Sequence, residues 1–300
     1  MTERFSCSRA SLAAAEPLFA TASSVQRWIL VEQPGPWGRD AVAESQLPPT
    51  VASALAATAR RAGARVLLVR RHGRYAPVGR TCYAALTTTG SSWVEEFRVE
   101  QPEDLLDLDF APLGRGASLG GRRLEHPLYL VCTNGRHDPC CAEFGRPLAA
   151  VLAGAFPDRV WEASHFGGDR FAGNLVCLPQ GLYYGHVGPE DGPRIVARNE
   201  RGLLDLDHLR GRSCYSFAVQ AADHLARRRL GLTGIDDLVA VGSTGLGAGR
   251  TLVTFDAAAG GRYLVEVESR PSGEPARLTC HGGPSCPPRH RLLNLDHRED

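Results

Sequence analysis

The chain has 300 residues, 43% hydrophobic and 22% charged, a composition that excludes a disordered or fibrous protein. At that length about two domains are expected, with roughly three quarters of the unfolded surface buried on folding. The 34 basic residues, every one an arginine, are balanced by 33 acidic ones at a net charge of +1, so there is no electrostatic footprint for nucleic acid and none is expected as a partner.

No stretch approaches the roughly 20 apolar residues of a membrane helix, and the N-terminal segment MTERFSCSRASLAAAEPLFATA carries acidic groups where a signal peptide would be uninterruptedly apolar. Nine cysteines, two of them adjacent, fit ligand or redox thiols in a reducing compartment better than a disulfide framework. A cytoplasmic protein with no membrane partner is therefore expected.

In chain order, a helix is predicted near Cys7 to Ala20, followed by the apolar run RWILVEQ as a buried strand that ends in the turn-rich PGPWGRD. TVASALAATARRAG reads as a helix closed by Gly63, and ARVLLVRR as the next strand. TCYAALTT and WVEEFRVE alternate as strands, which makes the first half βαβββ. The second half repeats the order: the strand PLYLVCTNG, the helix CAEFGRPLAAVLAGAF, the strand RVWEASH, and a hairpin of NLVCLPQG and LYYGHVG around Pro179, Gln180 and Gly181. The helix SCYSFAVQAADHLARRRLG closes the unit, its Arg227, Arg228 and Arg229 suiting the C-terminal end of the helix dipole. A βαβ unit followed by a β-hairpin and a helix is the thioredoxin-like arrangement.

Placing ARVLLVRRHGRYAPVGRTCYAAL over DRVWEASHFGGDRFAGNLVCLPQG brings Arg65 and Val66 onto Arg159 and Val160, and Arg74 close to Arg170. An internal duplication is read from this. The N-terminal copy has EQPGPWGRD where the second has CTNGRHDPCC, so only the second keeps ligands. The expected organisation is an α/β protein with a degenerate thioredoxin-like domain over 1–120, a thioredoxin-like domain over 121–232, and a C-terminal β extension with a flexible tail over 233–300. Within the extension, DLVAVGS, RTLVTFDA and RYLVEVESR are expected to extend one sheet or pack across both copies, and the Pro-, Gly-, His- and Arg-rich tail beyond Pro271 is expected to be loop-like or mobile.

The chemistry concentrates in two segments. VCTNGRHDPCC supplies Cys132, Cys140 and Cys141, and SHFGGDRFAGN supplies His165 and Asp169. In a parallel βαβ unit the C-terminal strand ends are neighbours, so these side chains converge on one edge. The helix dipole lowers the pKa of a thiol at the start of the following helix. Two thiols, an imidazole and a carboxylate form the donor set of a buried iron–sulfur or metal site. Taken singly, a Cys at a strand end is a small core hydrophobe, and Asp169 next to Arg170 reads as an ion pair that pins the loop.

VCTNGRHDPCCAEFGRPL, WEASHFGGDRFAGNLVCLPQGLYYG, RWILVEQPGPWGRD and CSRASLAAAEPLFATA together resemble the sucrase/ferredoxin-like family of thioredoxin-like ferredoxin proteins. The resemblance implies a [2Fe–2S] cluster held by two cysteines of a Cys-x8-Cys loop and two histidines of a His-x-Gly-Gly-His segment. It places Cys132 and Cys141 on the cysteines and His165 on the first histidine. Asp169 stands where the second histidine would be, and a carboxylate is a harder ligand. Three outcomes stay open: mixed ligation that includes Asp169, completion of the shell by Cys140 or His137, or loss of the cluster. Histidine ligation would raise the potential above that of an all-cysteine centre and make it pH-dependent.

The function expected from this is electron transfer or redox sensing with an unidentified partner protein, an electron carrier rather than an enzyme. The alternative is a metal-free thioredoxin-like thiol redox or interaction protein, although Cys-x8-Cys is far from the Cys-x-x-Cys spacing of disulfide exchange and only vicinal Cys140 and Cys141 offer a closer pair. Glycoside hydrolysis would need two carboxylates across a sugar cleft, and Glu162 with Asp169 is a poor candidate for it. Cys280 and Cys286 with His281 and His290 lack zinc-finger spacing. His186 and His208 show no partner in the sequence, and Cys177 and Cys214 fall in apolar patterns. VGSTGLGAGR lacks the Lys-Ser/Thr of a phosphate loop and precedes a strand.

Overall fold

A computed structural model describes residues 5–73, 75 and 78–299 of the chain. Helix α1 (Cys7–Ala13) is capped by Ser6, whose hydroxyl accepts the Arg9 N–H, and it leads to strand β1 (Arg27–Glu32), buried along Trp28 to Glu32. Helix α2 (Pro49–Ala62) starts on a proline and stops where Gly63 turns left-handed at φ +60°, and β2 (Arg65–Arg70) returns parallel to β1. Strands β3 (Arg80–Leu86) and β4 (Trp93–Val99) follow as an antiparallel pair, and a short helix α3 (Ala111–Gly114) leads to β5 (Arg122–Arg123).

The second half opens with β6 (Leu128–Cys132), helix α4 (Pro139–Ala155) and β7 (Val160–Ala163), with β6 and β7 parallel. Strands β8 (Leu175–Leu178) and β9 (Leu182–Tyr184) form the hairpin expected around Pro179 to Gly181. Helix α5 (Gly192–Glu200), strand β10 (Leu209–Arg212) and helix α6 (Phe217–Leu230) come next.

Among the described residues these strands form one ten-stranded sheet in the order β10-β9-β8-β6-β7-β2-β1-β3-β4-β5. Within it, β7-β6-β8-β9 with α4 as the parallel crossover is the thioredoxin-like connection. The N-terminal half has the same order, β2-β1-β3-β4, with α2 as its crossover. The two halves join at equivalent strands, β2 antiparallel to β7 through Val69↔Ala163 and Arg70↔Glu162. Arg65 and Arg159, matched in the sequence comparison, stand at the starts of those two strands; Arg74 lies outside the described residues.

One core runs across both halves on one face of the sheet and includes Trp28, Leu67, Tyr83, Leu130, Trp161 and Tyr183. On the other side α2 covers the first half through Val51, Leu55 and Ala59, and α4 and α5 cover the second through Leu148, Leu152, Ile195 and Val196. No described helix is long and apolar enough to cross a membrane.

The C-terminal region departs from expectation in three ways. Strands β11 (Leu238–Gly247), β12 (Arg250–Ala257) and β13 (Arg262–Pro271) do not extend the first sheet but form a separate antiparallel one. The tail beyond Pro271 is not all loop: after the two-residue strands β14 (Ala276–Arg277) and β15 (Pro284–Ser285), β16 (Pro288–Arg298) pairs along the whole of β13. The proline- and glycine-rich composition masked the half-buried Leu292 and Leu295, which join the core between this sheet and α6. Finally, α6 does not close the thioredoxin-like unit. It packs on the second sheet through Val219, Ala222 and Ala226, and the helix beside α4 is α5, which the sequence reading did not assign. The Gly-rich VGSTGLG is part of β11 and forms no phosphate loop.

Candidate metal centre

Cys132 is the last residue of β6, and its N–H donates to the Asn174 carbonyl at 3.1 Å. The polar loop that follows ends at Asp138, whose carboxylate caps α4 by accepting the Cys140 N–H at 2.9 Å. Cys141 therefore lies in the first helical turn, fully buried against the end of β6. Gly145, one turn on, makes this close approach possible: a Cβ there would come within 2.0 Å of the Cys132 carbonyl oxygen.

His165 follows β7. Ser164 before it locks the register, its N–H donating to Leu68 O at 2.8 Å and its hydroxyl accepting the Leu68 N–H at 3.0 Å. After Phe166 two glycines reverse the chain, Gly167 at φ +105° and Gly168 at φ +89°. The buried Arg210 holds this turn, donating to Gly167 O at 2.9 Å and to Asn174 Oδ1 at 2.7 Å, while Asn174 Nδ2 donates to Gly168 O at 2.8 Å. A side chain at position 168 would meet Arg210 Nη2 at 2.4 Å. The turn delivers Asp169 back toward His165.

The Sγ atoms of Cys132 and Cys141 lie 3.8 and 3.7 Å from His165 Nδ1, and the three ligand atoms are all within 4.8 Å of one another. Asp169 Oδ1 lies 3.1 Å from His165 Nδ1 and 3.6 Å from Cys141 Sγ. His137, from the Cys loop, stacks on His165 with ring centroids 3.7 Å apart and places Nε2 4.0 Å from Asp169 Oδ1. The four expected residues are thus brought together, with a second imidazole beside them.

Charge is shared tightly in this group. The hydrogen bond from Cys141 holds the Cys132 thiol well below its ordinary value against the penalty of burial, helped by the His165 imidazole, whereas the same hydrogen bond and burial push Cys141 up. Burial works against a charged His165, but the hydrogen bond and charge of Cys132 and the charge of Asp169 outweigh it and raise its pKa. Burial also raises Asp169, opposed by His165. These directions favour negative charge on Cys132 and positive charge on His165, so a metal binding here would displace the protons of His165 and Cys141.

Other sequence expectations land elsewhere. Cys140 does not complete this centre: successive residues at a helix start point apart, and its Sγ lies 3.4 Å from that of Cys280 and 3.7 Å from that of Cys7. Asp169 does not pair with Arg170, which reaches Glu16 Oε1 at 2.7 Å. Glu162 sits on the β2–β7 seam, accepting from Arg70 Nη2 and Thr133 Oγ1 at 2.8 Å each and facing His72 Nδ1 at 2.9 Å, so it faces no cleft shared with Asp169. Cys286 is exposed and His290 bonds Ser269, apart from Cys280. His208 finds Asp205 at 3.0 Å and His186 finds Ser11 at 3.3 Å. Cys177 is a core residue and Cys214 is half-buried. The roles of Arg210 and Asn174 escaped the sequence reading; the one available signal was a polar Asn at the start of an apolar strand.

The sucrase/ferredoxin-like family matches this chain over residues 18–211, more than half of its length. No curated protein matches it. Among solved structures, a cysteine-to-serine variant of the thioredoxin-like [2Fe–2S] ferredoxin from Aquifex aeolicus aligns with 28% of this chain and 97% of its own, at 17% identity and a TM-score of 0.25.

Proposed function

The chain belongs to the sucrase/ferredoxin-like family, and on that premise we propose that it is an electron-transfer or redox-sensing protein whose [2Fe–2S] cluster is held by Cys132, Cys141, His165 and Asp169. The observation that carries the proposal is the convergence of both thiols on His165 Nδ1, at 3.8 and 3.7 Å. The donor chemistry fits: two thiolates suit one iron, and an imidazole with a hard carboxylate suits the other. A [2Fe–2S] cluster takes four terminal ligands, so His137 would stand in for Asp169 and not add to it.

When bound, such a cluster supplies one-electron exchange. The chain's own residues set the conditions for it. Cys132 and Cys141 are fixed by the β6–α4 contact at Gly145, so the thiols need not be ordered on binding. Arg210 holds the Gly167–Gly168 turn and places a buried positive charge beside the site, its own pKa pushed down to about 10 by burial. His165 and Asp169 are 16% and 5% exposed, while His137 over them is 31% exposed. The imidazole edge is therefore where a redox partner protein would dock and where a proton would enter or leave. The concentration of thiols at ligand spacing favours a reducing, cytoplasmic setting.

A second reading is favoured by one observation: the ligand atoms of Cys132, Cys141 and His165 all lie within 4.8 Å of one another, compatible with ligands around a single ion. Anaerobic purification with iron, acid-labile sulfide and visible-spectrum measurements separates the two. Iron and sulfide in equal amounts at two per chain, with a coloured protein, are expected. A metal without sulfide that is lost in Cys132→Ser selects the mononuclear centre. A colourless protein free of both, after attempted reconstitution, overturns the cluster.

A further inference from the structure

Beyond the centre just described, three more cysteines meet at a single point. Cys7 opens α1, Cys140 lies in the first turn of α4, and Cys280 sits between β14 and β15. Their Sγ–Sγ separations are 3.7 Å for Cys7 and Cys140, 3.4 Å for Cys140 and Cys280, and 3.6 Å for Cys280 and Cys7. Asp138 stands beside them, fully buried, both carboxylate oxygens 3.9 Å from Cys7 Sγ.

Four ligand atoms, one from each of these residues, all lie within 4.8 Å of one another. We propose that Cys7, Cys140 and Cys280, with Asp138 as fourth ligand, bind one structural zinc ion in a site separate from the Cys132, Cys141 and His165 centre.

Geometry is the first support. A tetrahedral zinc with Zn–S bonds of about 2.3 Å has S–S edges of ~3.8 Å, and with a Zn–O bond of about 2.0 Å its S–O edges are ~3.5 Å. The three sulfurs come within a few tenths of an ångström of the first edge, and the carboxylate is close to the second. A disulfide, with its S–S bond of about 2.05 Å, would join only two of the three and leave a buried thiol over.

Donor chemistry is the second support. Three thiolates and one carboxylate oxygen are a soft set that selects zinc over calcium or magnesium. Each thiol loses its proton to solvent as the metal binds. The surroundings are those of a prepared outer shell: Asp138 already accepts the N–H groups of Cys140 and Cys280 at 2.9 and 2.7 Å, and each of its oxygens keeps a lone pair free. Ser6 Oγ lies 3.2 Å from Cys140 Sγ, and the Cys7 N–H points at Cys280 Sγ at 3.5 Å.

The chain path is the third. The three cysteines are separated by 133, 140 and 273 residues, so one ion would tie the N-terminal helix, the start of α4 and the C-terminal region together. Four protein ligands leave no open position, which makes the site structural. The vicinal cysteines acquire divided duties: Cys140 anchors the first turn of α4 to zinc, and that turn presents Cys141 to His165 on its other side.

The test is metal analysis of the full-length protein, purified without a chelating column, as wild type, Cys7→Ser, Cys280→Ser and Cys132→Ser. One zinc per chain is expected in the wild type and in Cys132→Ser, with at least a fivefold loss in Cys7→Ser and Cys280→Ser. Iron and sulfide report the neighbouring centre and are scored separately, so the two proposals fail independently. Should Cys7→Ser and Cys280→Ser not fold, cobalt(II) added to metal-stripped Cys132→Ser decides: strong visible d–d bands with thiolate-to-cobalt charge transfer are expected. Zinc retained in both Cys7→Ser and Cys280→Ser, iron in place of zinc in Cys132→Ser, no tetrahedral cobalt spectrum, or a native disulfide between Cys140 and either partner overturns the site.

Discussion

At the scale of single residues, Asp169 is the position at which the proposed first centre is tested. It stands where relatives are expected to carry histidine, 3.1 Å from His165, and His137 waits 4.0 Å from it. Asp169→Ala is expected to speed cluster loss, and Asp169→His to retain the cluster with a shifted potential; iron retention over time and a redox titration check both. An unchanged spectrum and potential in Asp169→Ala would exclude ligation by that carboxylate. Asn174→Ala removes a bond to Gly168 and a partner of Arg210, which should cost about 1–3 kcal/mol and also lower iron content. His186 and His224 set a pH limit. Burial lowers each to about 4, and neither buried Nδ1 has a hydrogen-bond partner. Below about pH 6.5 the unfolded chain takes up these protons while the folded protein does not, until about pH 4. The stability associated with the two neutral imidazoles is therefore present above pH 6.5 and lost as the pH falls toward 4. Urea unfolding at a series of pH values, with metal content followed in parallel, should show this slope, and it should flatten in His224→Phe.

At the scale of elements, the contact between α4 and β6 is the most exacting in the fold. The helix must lie close enough to bring Cys141 beside Cys132 and His165, and Gly145 is the residue that permits it. Gly145→Ala adds one methyl group that would otherwise sit 2.0 Å from the Cys132 carbonyl, so helix and strand must separate. Overpacking of this kind costs about 1–3 kcal/mol, and here it also pulls the two thiols apart. The expected outcome is a protein that folds with a lowered melting temperature and a cofactor content reduced more than its stability. Full cofactor retention in Gly145→Ala would show that the helix position is not what sets the thiol pair.

For the whole molecule, the two halves of the large sheet depend on a short seam. Among the described residues Val69↔Ala163 and Arg70↔Glu162 pair there, extended by the Ser164 bonds to Leu68, and the buried Glu162 gathers Arg70, His72 and Thr133 around one carboxylate. Burial works to raise the Glu162 pKa, but the charge and hydrogen bond of Arg70 with the hydrogen bonds of Thr133 and His72 together hold it below its ordinary value. Removing one partner of such a pair strands the other, at a cost of about 3 kcal/mol or more. Glu162→Ala should therefore lower the denaturation midpoint by that margin, whereas Glu162→Gln, which keeps hydrogen bonds to Thr133 and Arg70, should lose less. Equal stability of wild type and Glu162→Ala would mean that the shared core alone joins the halves.

The sequence by itself determined most local elements of both halves, α5 excepted, and which residues group as the first candidate centre. Apolar period and the Gly63 cap are local signals, and in a βαβ unit the strand ends meet wherever the unit is placed. That is why Cys132, Cys141, His165 and Asp169 were legible together. Three matters were decided only by the path of the chain: which way Cys140 faces, the pairing of β16 with β13 behind a proline-rich stretch, and the meeting of Cys7, Cys140 and Cys280. Contacts across 133 to 273 residues leave no periodic trace in the intervening sequence, because they are fixed by how separate sheets and helices pack and not by any one segment's preference.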